Sequence, residues 1–367
     1  MSSTWGEKIR ISIFGGSHTR AIGVNIEGLP AGEPICWEQV LGQMARRAPG
    51  KDPTATTRKE ADTPQVLCGL LDGVTTGAPL CAIIENTNQR SKDYSSLRVL
   101  PRPGHADYTA YVKYGNHHDV RGGGHFSGRL TAPLVFAGAI ARQLLQRRGI
   151  LVASHVASIG EAQDQPFDPV SIPPQLLERL GGEYFPVIDA AAKERMRQVV
   201  EAARLDCDSV GGVVECAVTG LPVGAGEPMF GGAENRIASL CFGIPAMKGI
   251  EFGAGFDAAR RRGSQNNDPF YFDQAGRVRT RTNHAGGILG GITNGMPLLF
   301  RAAVKPTPSI GQPQESVSLS RRENTTLVIH GRHDPCIVPR AVPCVEAAAA
   351  IAVYDALLEQ QKRSERT

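Results

Sequence analysis

Short runs rich in valine, isoleucine and leucine recur along the chain. Runs of this length and composition are typical of β-strands, in which alternate side chains face a buried side. They predict strands at Ile9–Phe14, Ile22–Ile26, Leu80–Ile84, Ile150–Ala157, Gly211–Thr219, Leu298–Ala303 and Thr325–Ile329.

A second set of segments carries apolar residues at every third or fourth position, which is the period of a helix with one buried face. They predict helices at Trp37–Arg47, Thr131–Arg148, Asp189–Arg204, Glu234–Phe242 and Pro343–Lys362. Thr131 is a candidate N-cap, and Pro133 fits the first turn because an N–H there has no helical partner. Strands and helices do not alternate strictly, so we predict an α+β fold rather than a doubly wound sheet.

Three polar, glycine-rich stretches separate the predicted elements, at residues 49–64, 89–119 and 260–287. Loops of this length in a compact domain are usually functional or mobile. No low-complexity linker divides the chain. This indicates a single domain over residues 1–367, with a frayed tail after Lys362.

The composition narrows the class of protein. With 367 residues, 41% of them hydrophobic, the chain can bury a large core, and its net charge of +4 is too small for nucleic-acid binding by bulk electrostatics. The eight cysteines are scattered and none forms a Cys-x-x-Cys pair, which indicates a reducing compartment and argues against structural zinc. Residues 1–8 lack signal-peptide character, and no apolar run is judged long enough to cross a bilayer. We therefore expect a cytoplasmic protein with no membrane partner.

Two neighbouring segments carry the densest chemistry, Arg102–Asp107 and Arg121–Arg129. Both combine arginine and histidine with glycines, whose N–H groups can approach an anion because no Cβ is in the way. Arginine offers a planar fork of donors that fits phosphate or carboxylate, and histidine exchanges a proton near neutral pH. The combination predicts a site for a strongly anionic small molecule that undergoes proton transfer.

Other segments fit the same picture, although each taken alone also fits an ordinary turn or loop. Ser17 and His18 follow directly after a predicted strand, where reactive groups are often presented. The remaining candidates combine cations with hydroxyls, glycines or an aspartate, and they are Arg46–Asp62, Asn283–Ser309 and Gly331–Pro343.

Several histidines in this part of the chain raise the question of a metal, and they are His105, His117, His118 and His125. Zinc requires a tetrahedral set of histidine, cysteine or carboxylate ligands with a supporting second shell. The surrounding arginines would repel a cation, so we expect no metal site.

A series of motifs occurs in a fixed order along the chain. They are Gly16-Ser-His18, Arg102-Pro-Gly-His-Ala-Asp107, Arg121-Gly-Gly-Gly-x-x-Ser-x-Arg129, Asp208-Ser-Val-Gly-Gly212, Gly286-Gly-Ile-x-Gly-Gly-Ile292, Lys305-Pro-Thr-x-Ser309 and Gly331-Arg-His-Asp-Pro-Cys336. Together they closely resemble the chorismate synthase family. Several are weak signals individually, but the ordered set is highly specific and spans roughly residues 6–360.

The resemblance implies an enzyme that converts 5-enolpyruvylshikimate 3-phosphate into chorismate and phosphate by an anti-1,4-elimination in the shikimate pathway. It implies a need for reduced FMN without net redox change, a β-α-β sandwich with helices between two antiparallel sheets, and a homotetramer. It leaves open whether NADPH reduces the flavin on the enzyme or an external flavin reductase supplies it. Nucleic acid is not an expected partner.

The resemblance also assigns catalytic roles to residues of this chain. It implies that His18, with Ser17 beside it, protonates the departing phosphate. His105 would lie by the N1–C2 region of the flavin and stabilise its protonation state. Asp334 would serve near flavin N5 in proton removal, and Ser127 matches a serine that contacts the flavin or relays protons.

Binding roles carry over in the same way. The implied flavin contacts are His125, Phe126, Ser127, Gly290, Lys305, Pro306, Thr307, Pro308, Ser309 and Arg332. Arg47 matches a position linked to substrate phosphate or nicotinamide binding, and Arg129 and Arg340 would add positive charge around the substrate. The chain departs from the common family pattern at Gly16, Thr19, Ala48, Pro53, His125 and Leu130.

Two other functions stay open on the sequence alone. One is a flavin-dependent oxidoreductase that uses the same pocket for net redox turnover. The other is a non-catalytic protein that binds a phosphometabolite or RNA through its arginine clusters.

Overall fold

A computed structural model describes residues 3–50, 61–87, 96–329 and 334–364 of the chain. Within these ranges, two five-stranded antiparallel sheets lie on either side of a layer of helices. The first sheet consists of β1 (Thr4–Trp5), β2 (Arg10–Gly15), β3 (Ala21–Glu27), β4 (Pro64–Cys68) and β7 (Leu80–Glu85), in the order β1-β2-β3-β7-β4. The second consists of β8 (Leu151–Ile159), β9 (Ala162–Gln163), β10 (Gly212–Thr219), β12 (Met247–Phe252) and β17 (Leu298–Val304), in the order β12-β17-β10-β8-β9.

The alternation of side chains along each strand decides which face of a sheet is buried. In the first sheet, Ile22 pairs with Ile84 and Ile26 pairs with Leu80, and all four side chains lie in the core. A shift of one residue in this register would expose the whole set, so the hydrophobic pattern specifies the pairing of β3 with β7.

The helical layer consists of α1 (Trp37–Arg47), α3 (Thr131–Gln146) and α8 (Val338–Ser364). Helix α3 packs on β2, β3 and β7 of the first sheet, α8 packs on β8 and β10 of the second, and the two helices pack on each other. Their approach is close, because a Cβ added at Gly138 would lie only 2.2 Å from the Cβ of Ala347. The predicted α+β fold, with helices between two antiparallel sheets, is confirmed.

Helix α8 is apolar around its circumference because both sides are covered by protein. Its segment Val338–Gln360 is long and apolar enough to cross a membrane by composition, yet 94% of the apolar window is buried inside the protein. The expectation that no apolar run reaches the length of a bilayer was therefore wrong. Burial between the two sheets explains the composition of this helix.

The remaining elements of the described chain are mostly short. The helices are α2 (Asp107–Lys113), α4 (Pro174–Gly182), α5 (Ala190–Leu205), α6 (Ala233–Gly243) and α7 (Gly263–Asn266). The strands are β5 (Leu70–Leu71), β6 (Val74–Thr75), β11 (Val223–Gly226), β13 (Phe270–Phe272), β14 (Val278–Thr280), β15 (Ile288–Leu289), β16 (Ile292–Asn294), β18 (Gln314–Ser318) and β19 (Glu323–Leu327).

Each predicted strand and helix is present, most with shifted ends, and two of the differences concern prolines and caps. Helix α8 begins at Val338 rather than Pro343, and Pro343 leaves the carbonyl of Pro339 without its usual helical donor. Thr131 is not the N-cap of α3. It lies inside the first turn and donates its hydroxyl to the carbonyl of Gly128 at 2.6 Å, because a short 3₁₀ turn precedes the helix.

The sequence pattern did not predict α2, α4 or β12, since short elements show too little periodicity. Helix α2 lies within the stretch 89–119 that we took for a loop, and α7, β13 and β14 lie within 260–287. Their described parts are therefore not structureless. Both stretches are tied to the core by these short elements.

The outer face of the second sheet holds a buried cluster of charged side chains. The Nδ1 of His155 lies 2.9 Å from Asp164, and its Nε2 lies 2.8 Å from Glu215. Burial alone would lower the pKa of His155, but hydrogen bonds and charge from both carboxylates outweigh it and raise that pKa. The charged imidazole therefore stabilises the fold.

We predict that His155→Gln lowers the free energy of unfolding by about 2–3 kcal/mol near pH 6, the scale of lost hydrogen bonds to charged groups. Because the folded pKa is raised, this stabilisation is complete below about pH 6.5 and is lost as the pH rises through the folded value. The difference between variant and parent should shrink toward about pH 9. Urea unfolding at both pH values tests this, with the exposed His117→Gln as control. If the difference in free energy of unfolding between variant and parent does not change with pH, this prediction is wrong.

Candidate active site

Ser17 and His18 lie on a tight turn that directly follows β2, where the sheet ends and the backbone is free to present side chains. The Oγ of Ser17 lies 3.0 Å from the carbonyl oxygens of both Arg121 and Gly122, and 3.1 Å from Nδ1 of His18. The backbone N–H of Ser17 donates to the carbonyl of Gly124 at 3.2 Å. The structure thus joins this turn to the glycine segment predicted to accompany it.

The contacts of Ser17 determine which nitrogen of His18 carries a proton. A hydroxyl has one hydrogen, and two carbonyl oxygens compete for that of Ser17. Ser17 therefore accepts a hydrogen bond from Nδ1–H of His18. Proton exchange with a bound molecule then falls to Nε2, as a general acid at this position requires.

The segment Gly122–Gly124 lies between the two predicted catalytic histidines. All three glycines have positive φ, at 58°, 81° and 53°. A Cβ at Gly122 would lie 2.3 Å from Cε1 of His18, and a Cβ at Gly123 would lie 3.3 Å from Cε1 and Nε2 of His105. Glycine is needed here for its backbone conformation and because both imidazoles lie against the main chain.

His105 is oriented by a carboxylate that the sequence analysis did not single out. Its Nδ1 lies 2.6 Å from Oδ1 of Asp107. The Arg102 guanidinium donates from Nε to Oδ2 of Asp107 at 2.7 Å and from Nη2 to Oδ1 at 2.9 Å. Burial alone would raise the pKa of Asp107, but the hydrogen bonds from Arg102 and His105 hold that pKa well below its usual value. Asp107 is therefore a carboxylate that fixes the ring of His105.

The segment from Lys305 to Ser309 packs against the loop that carries His105. Lys305 Nζ donates to the carbonyl of Gly104, and Arg102 Nη1 lies 3.2 Å from Oγ of Ser309. Partial burial and the positive charge of Lys248 lower the pKa of Lys305. The segment thus brings positive charge to the histidines, as a phosphate-bearing ligand requires.

A second group of predicted residues surrounds Asp62, whose side chain is fully buried. Its two oxygens each accept a hydrogen bond, one from Arg47 and the other from Arg129. Burial alone would raise the pKa of Asp62, but the two guanidinium charges hold it below its usual value. Arg129 also donates to Oδ1 of Asn86, at 3.0 Å, and to the carbonyl of Glu85, at 3.2 Å.

Asp334 and Arg340 lie beside this group. Arg340 Nη1 lies 2.6 Å from Oδ2 of Asp334, and Arg340 Nε donates to the carbonyl of Arg47 at 3.1 Å. The structure therefore brings Asp334 and the three predicted substrate arginines together. Arg332 lies outside the described residues.

Other predicted flavin contacts take separate places. Phe126 lies 6.4 Å from the ring of Tyr114, centroid to centroid, and Ser127 Oγ accepts a hydrogen bond from the N–H of Arg129 at 3.3 Å. Gly290 lies in the turn between β15 and β16, with a positive φ of 60°.

His125 replaces a family arginine, and the structure gives it a local role. Its Nδ1 lies 2.8 Å from the carbonyl oxygen of Gly15, and its Nε2 lies 2.7 Å from Oγ of Ser3. Both ring nitrogens thus bind the chain near the start of the first sheet. Of the other departures, Ala48 ends α1 and Leu130 lies in the core. Within the described residues no group of three potential ligands could hold a metal ion.

The sequence analysis missed Asp62, Asn86 and Asp107 as parts of the site. Asp107 had a signal, because it follows His105 by two residues in a quoted motif. Asp62 closes the candidate segment Arg46–Asp62, but no pattern in the sequence assigned it a role, and Asn86 had no signal because its partners are distant in sequence. Asn86 and Gly16, for example, are 70 positions apart.

We predict that Asp107→Asn slows turnover by about 10- to 100-fold, because an amide can present the wrong donor to His105 and no longer matches the charge of Arg102. Steady-state rates at saturating substrate provide the measurement. Asp119→Asn is a matched control, since Asp119 pairs with Arg121 at a more exposed position. Equal rates for Asp107→Asn and the parent protein would exclude this role.

Two histidines packed against one glycine segment, beside cationic segments and buried carboxylates, are the kind of site found in enzymes. The family model for chorismate synthase matches residues 9–358. The chain belongs to the chorismate synthase family, and it is therefore a lyase of the shikimate pathway.

Individual relatives agree with this result. The chain is 45% identical to the chorismate synthase of Lancefieldella parvula over 97% of this chain and 96% of that protein. It is 47% identical to that of Thermococcus kodakarensis over 97% of this chain and 98% of that protein. A crystal structure of chorismate synthase is similar with a TM-score of 0.74 and 28% identity, covering 97% of this chain and 93% of that one.

Proposed function

We propose that this protein converts 5-enolpyruvylshikimate 3-phosphate into chorismate and phosphate by anti-1,4-elimination. The observation that carries the proposal is the pair His18 and His105 packed against the same glycine segment, each with Nδ1 engaged by a protein oxygen. Nε2 of His18 is buried, and Nε2 of His105 lies 3.3 Å from Nη2 of Arg102. This arrangement suits a reaction in which a phosphate leaves and a proton is lost nearby.

The charges around Asp62 suit the substrate, which carries a phosphate and two carboxylates. Arg47, Arg129 and Arg340 exceed the carboxylates of Asp62 and Asp334 by one positive charge. The guanidinium group of arginine binds phosphate and carboxylate through two parallel hydrogen bonds. We propose that this excess charge, with Lys305, attracts and orients the substrate.

We propose reduced FMN as the cofactor, which supplies electron density for loss of phosphate when it is bound. The residues present fit it, because Lys305 and Lys248 bring positive charge to the segment that packs on the His105 loop. The residues that would hold it are His125, Phe126, Ser127, Gly290, Lys305, Pro306, Thr307, Pro308, Ser309 and Arg332. Whether NADPH reduces the flavin on the enzyme or an external reductase does so is a question for the same assay.

The protein's own residues then have separate tasks. In its doubly protonated form His18 gives a proton from Nε2 to the departing phosphate oxygen, while Ser17 keeps the other proton on Nδ1 by accepting its hydrogen bond. His105, held by Asp107, stabilises charge near the cofactor ring. Asp334 serves in removal of the C6 proton, with Arg340 holding its carboxylate in place.

We propose further that the protein acts as a cytoplasmic homotetramer. Three large apolar side chains, Met229, Phe230 and Phe256, are 77%, 86% and 82% exposed, which is costly in an isolated subunit and suits burial in an assembly. The eight cysteines are free, in keeping with a reducing compartment.

The test is an anaerobic reaction of the purified protein with 5-enolpyruvylshikimate 3-phosphate and chemically reduced FMN, with chorismate and phosphate measured together. Equal release of both, absent with oxidised FMN, is the expected result. Consumption of NAD(P)H in proportion to substrate would instead reveal an oxidoreductase. No release, despite binding of substrate and flavin, would refute the proposed activity.

A further inference from the structure

Asn86 is the first residue after β7, and its side chain bridges both ends of the turn that carries Ser17 and His18. Its Nδ2 donates to the carbonyl of Gly16 at 3.0 Å and to that of Thr19 at 2.8 Å. Its backbone N–H donates to the carbonyl of Arg20 at 3.1 Å. One residue of the neighbouring strand thus holds the backbone immediately before and after the two reactive side chains.

The other end of the Asn86 amide is fixed by Arg129. Because an arginine side chain only donates, its Nε at 3.0 Å identifies the facing atom as Oδ1 and leaves Nδ2 toward the two carbonyls. Arg129 is in turn held by the buried carboxylate of Asp62. A continuous chain of polar contacts therefore runs from Asp62 through Arg129 and Asn86 to the His18 turn.

This series of polar contacts explains how the turn can be held without contact to the His18 ring itself. Within the turn, Thr19 Oγ1 accepts from the N–H of Gly16 and lies within hydrogen-bond distance of the carbonyls of Gly16 and Ala21, but these contacts tie the turn only to itself and to the start of β3. A proton donor must be placed to within a fraction of an ångström, and a shift of about 1 Å can cost about 100-fold in rate. The amide of Asn86 supplies this constraint from outside the turn.

We propose that Asn86 is a positioning residue for His18, acting through the backbone of the Gly16–Thr19 turn. The inference rests on the proposed function, in which His18 is the proton donor. Asn86 then affects the chemical step and leaves substrate binding nearly unchanged, since it lies behind the turn and holds no part of the substrate. A merely structural residue would not show this separation.

The sharpest variant is Asn86→Asp, which keeps an acceptor for Arg129 but sets a carboxylate oxygen against the two carbonyls. We expect kcat to fall by about 100-fold. Because the new charge also lies on Arg129, a proposed substrate arginine, the Michaelis constant for 5-enolpyruvylshikimate 3-phosphate is compared in Asn86→Ala, where it should stay within about 2-fold of the parent value. Asn86→Ala removes the amide without adding repulsion, and we expect about a 10-fold fall. Asn86→Ala still tests the inference if Asn86→Asp does not fold.

A double-mutant cycle with His18→Ala separates positioning from general damage. If Asn86 acts through His18, then Asn86→Asp has no further effect on kcat once His18 is absent. Asn283 provides a matched control, because its buried amide also donates to two carbonyls, those of Pro169 and Pro297, at 2.7 and 2.8 Å. Any effect of Asn283→Asp on kcat should simply multiply that of His18→Ala.

The outcomes distinguish the inference from the proposed function. If His18→Ala keeps the parent rate, the role of His18 in the proposed function is wrong. If His18→Ala is slow but both Asn86 variants keep the parent kcat, or multiply its loss in full, the positioning role of Asn86 is wrong and the proposed function stands. Loss of substrate affinity in place of kcat also overturns the inference.

Discussion

Replacing His18 with alanine should slow the release of chorismate and phosphate by about 10²- to 10⁴-fold, the usual scale for a positioned acid or base. The phosphate that leaves would have to depart without a proton from Nε2, and Ser17 cannot replace it because its hydrogen is drawn toward two carbonyl oxygens. Single-turnover rates with reduced FMN measure the chemical step directly. Substrate affinity should change far less than the rate.

The matched control for this experiment is His117→Ala. His117 is exposed and lies between the two histidine-bearing motifs, so its loss removes an imidazole without touching the site. It should keep the parent rate. A rate for His18→Ala within about 2-fold of the parent would remove His18 from the mechanism.

Replacing Asp62 with asparagine should lower the free energy of unfolding by about 3–5 kcal/mol, the cost of leaving a buried ion-pair partner uncompensated. Two guanidinium groups, Arg47 and Arg129, lose their shared carboxylate at once. Because the pKa of Asp62 is lowered, its contribution is complete above about pH 4 and is lost as the pH falls through the folded value. Denaturant unfolding near neutral pH measures the difference.

Glu33→Gln is the appropriate comparison for Asp62→Asn. Glu33 pairs with Arg147 at 2.7 Å, but both side chains are about a third exposed, so the loss should be below about 1 kcal/mol. If Asp62→Asn costs no more than Glu33→Gln, Asp62 does not hold the two arginines in the way inferred here. A difference that grows toward acidic pH would have the wrong sign for this explanation.

The elements with long, regular hydrophobic patterns were predictable. Helix α1 matches its predicted range, and β3 and β7 follow their predicted runs closely, because their alternating or periodic side chains meet a single core. Helix α2 and strand β12 were not predicted. Short segments with polar residues adopt regular structure only when a neighbouring strand or loop packs against them. The residues of the site divide in the same way. Glycine-rich motifs pointed to His18 and His105, whereas no motif pointed to the roles of Asp62 and Asn86.

The sequence by itself determined the chemistry and the family, because glycine, histidine and arginine motifs in a fixed order carry both. It also determined which segments are apolar enough to form the core. Only the tertiary structure decided that α8 is buried between sheets, that His125 binds Ser3 and Gly15, and that Asn86 holds the His18 turn. These contacts join residues far apart in the chain, and local propensity has no information about a partner that folding alone brings within hydrogen-bond distance.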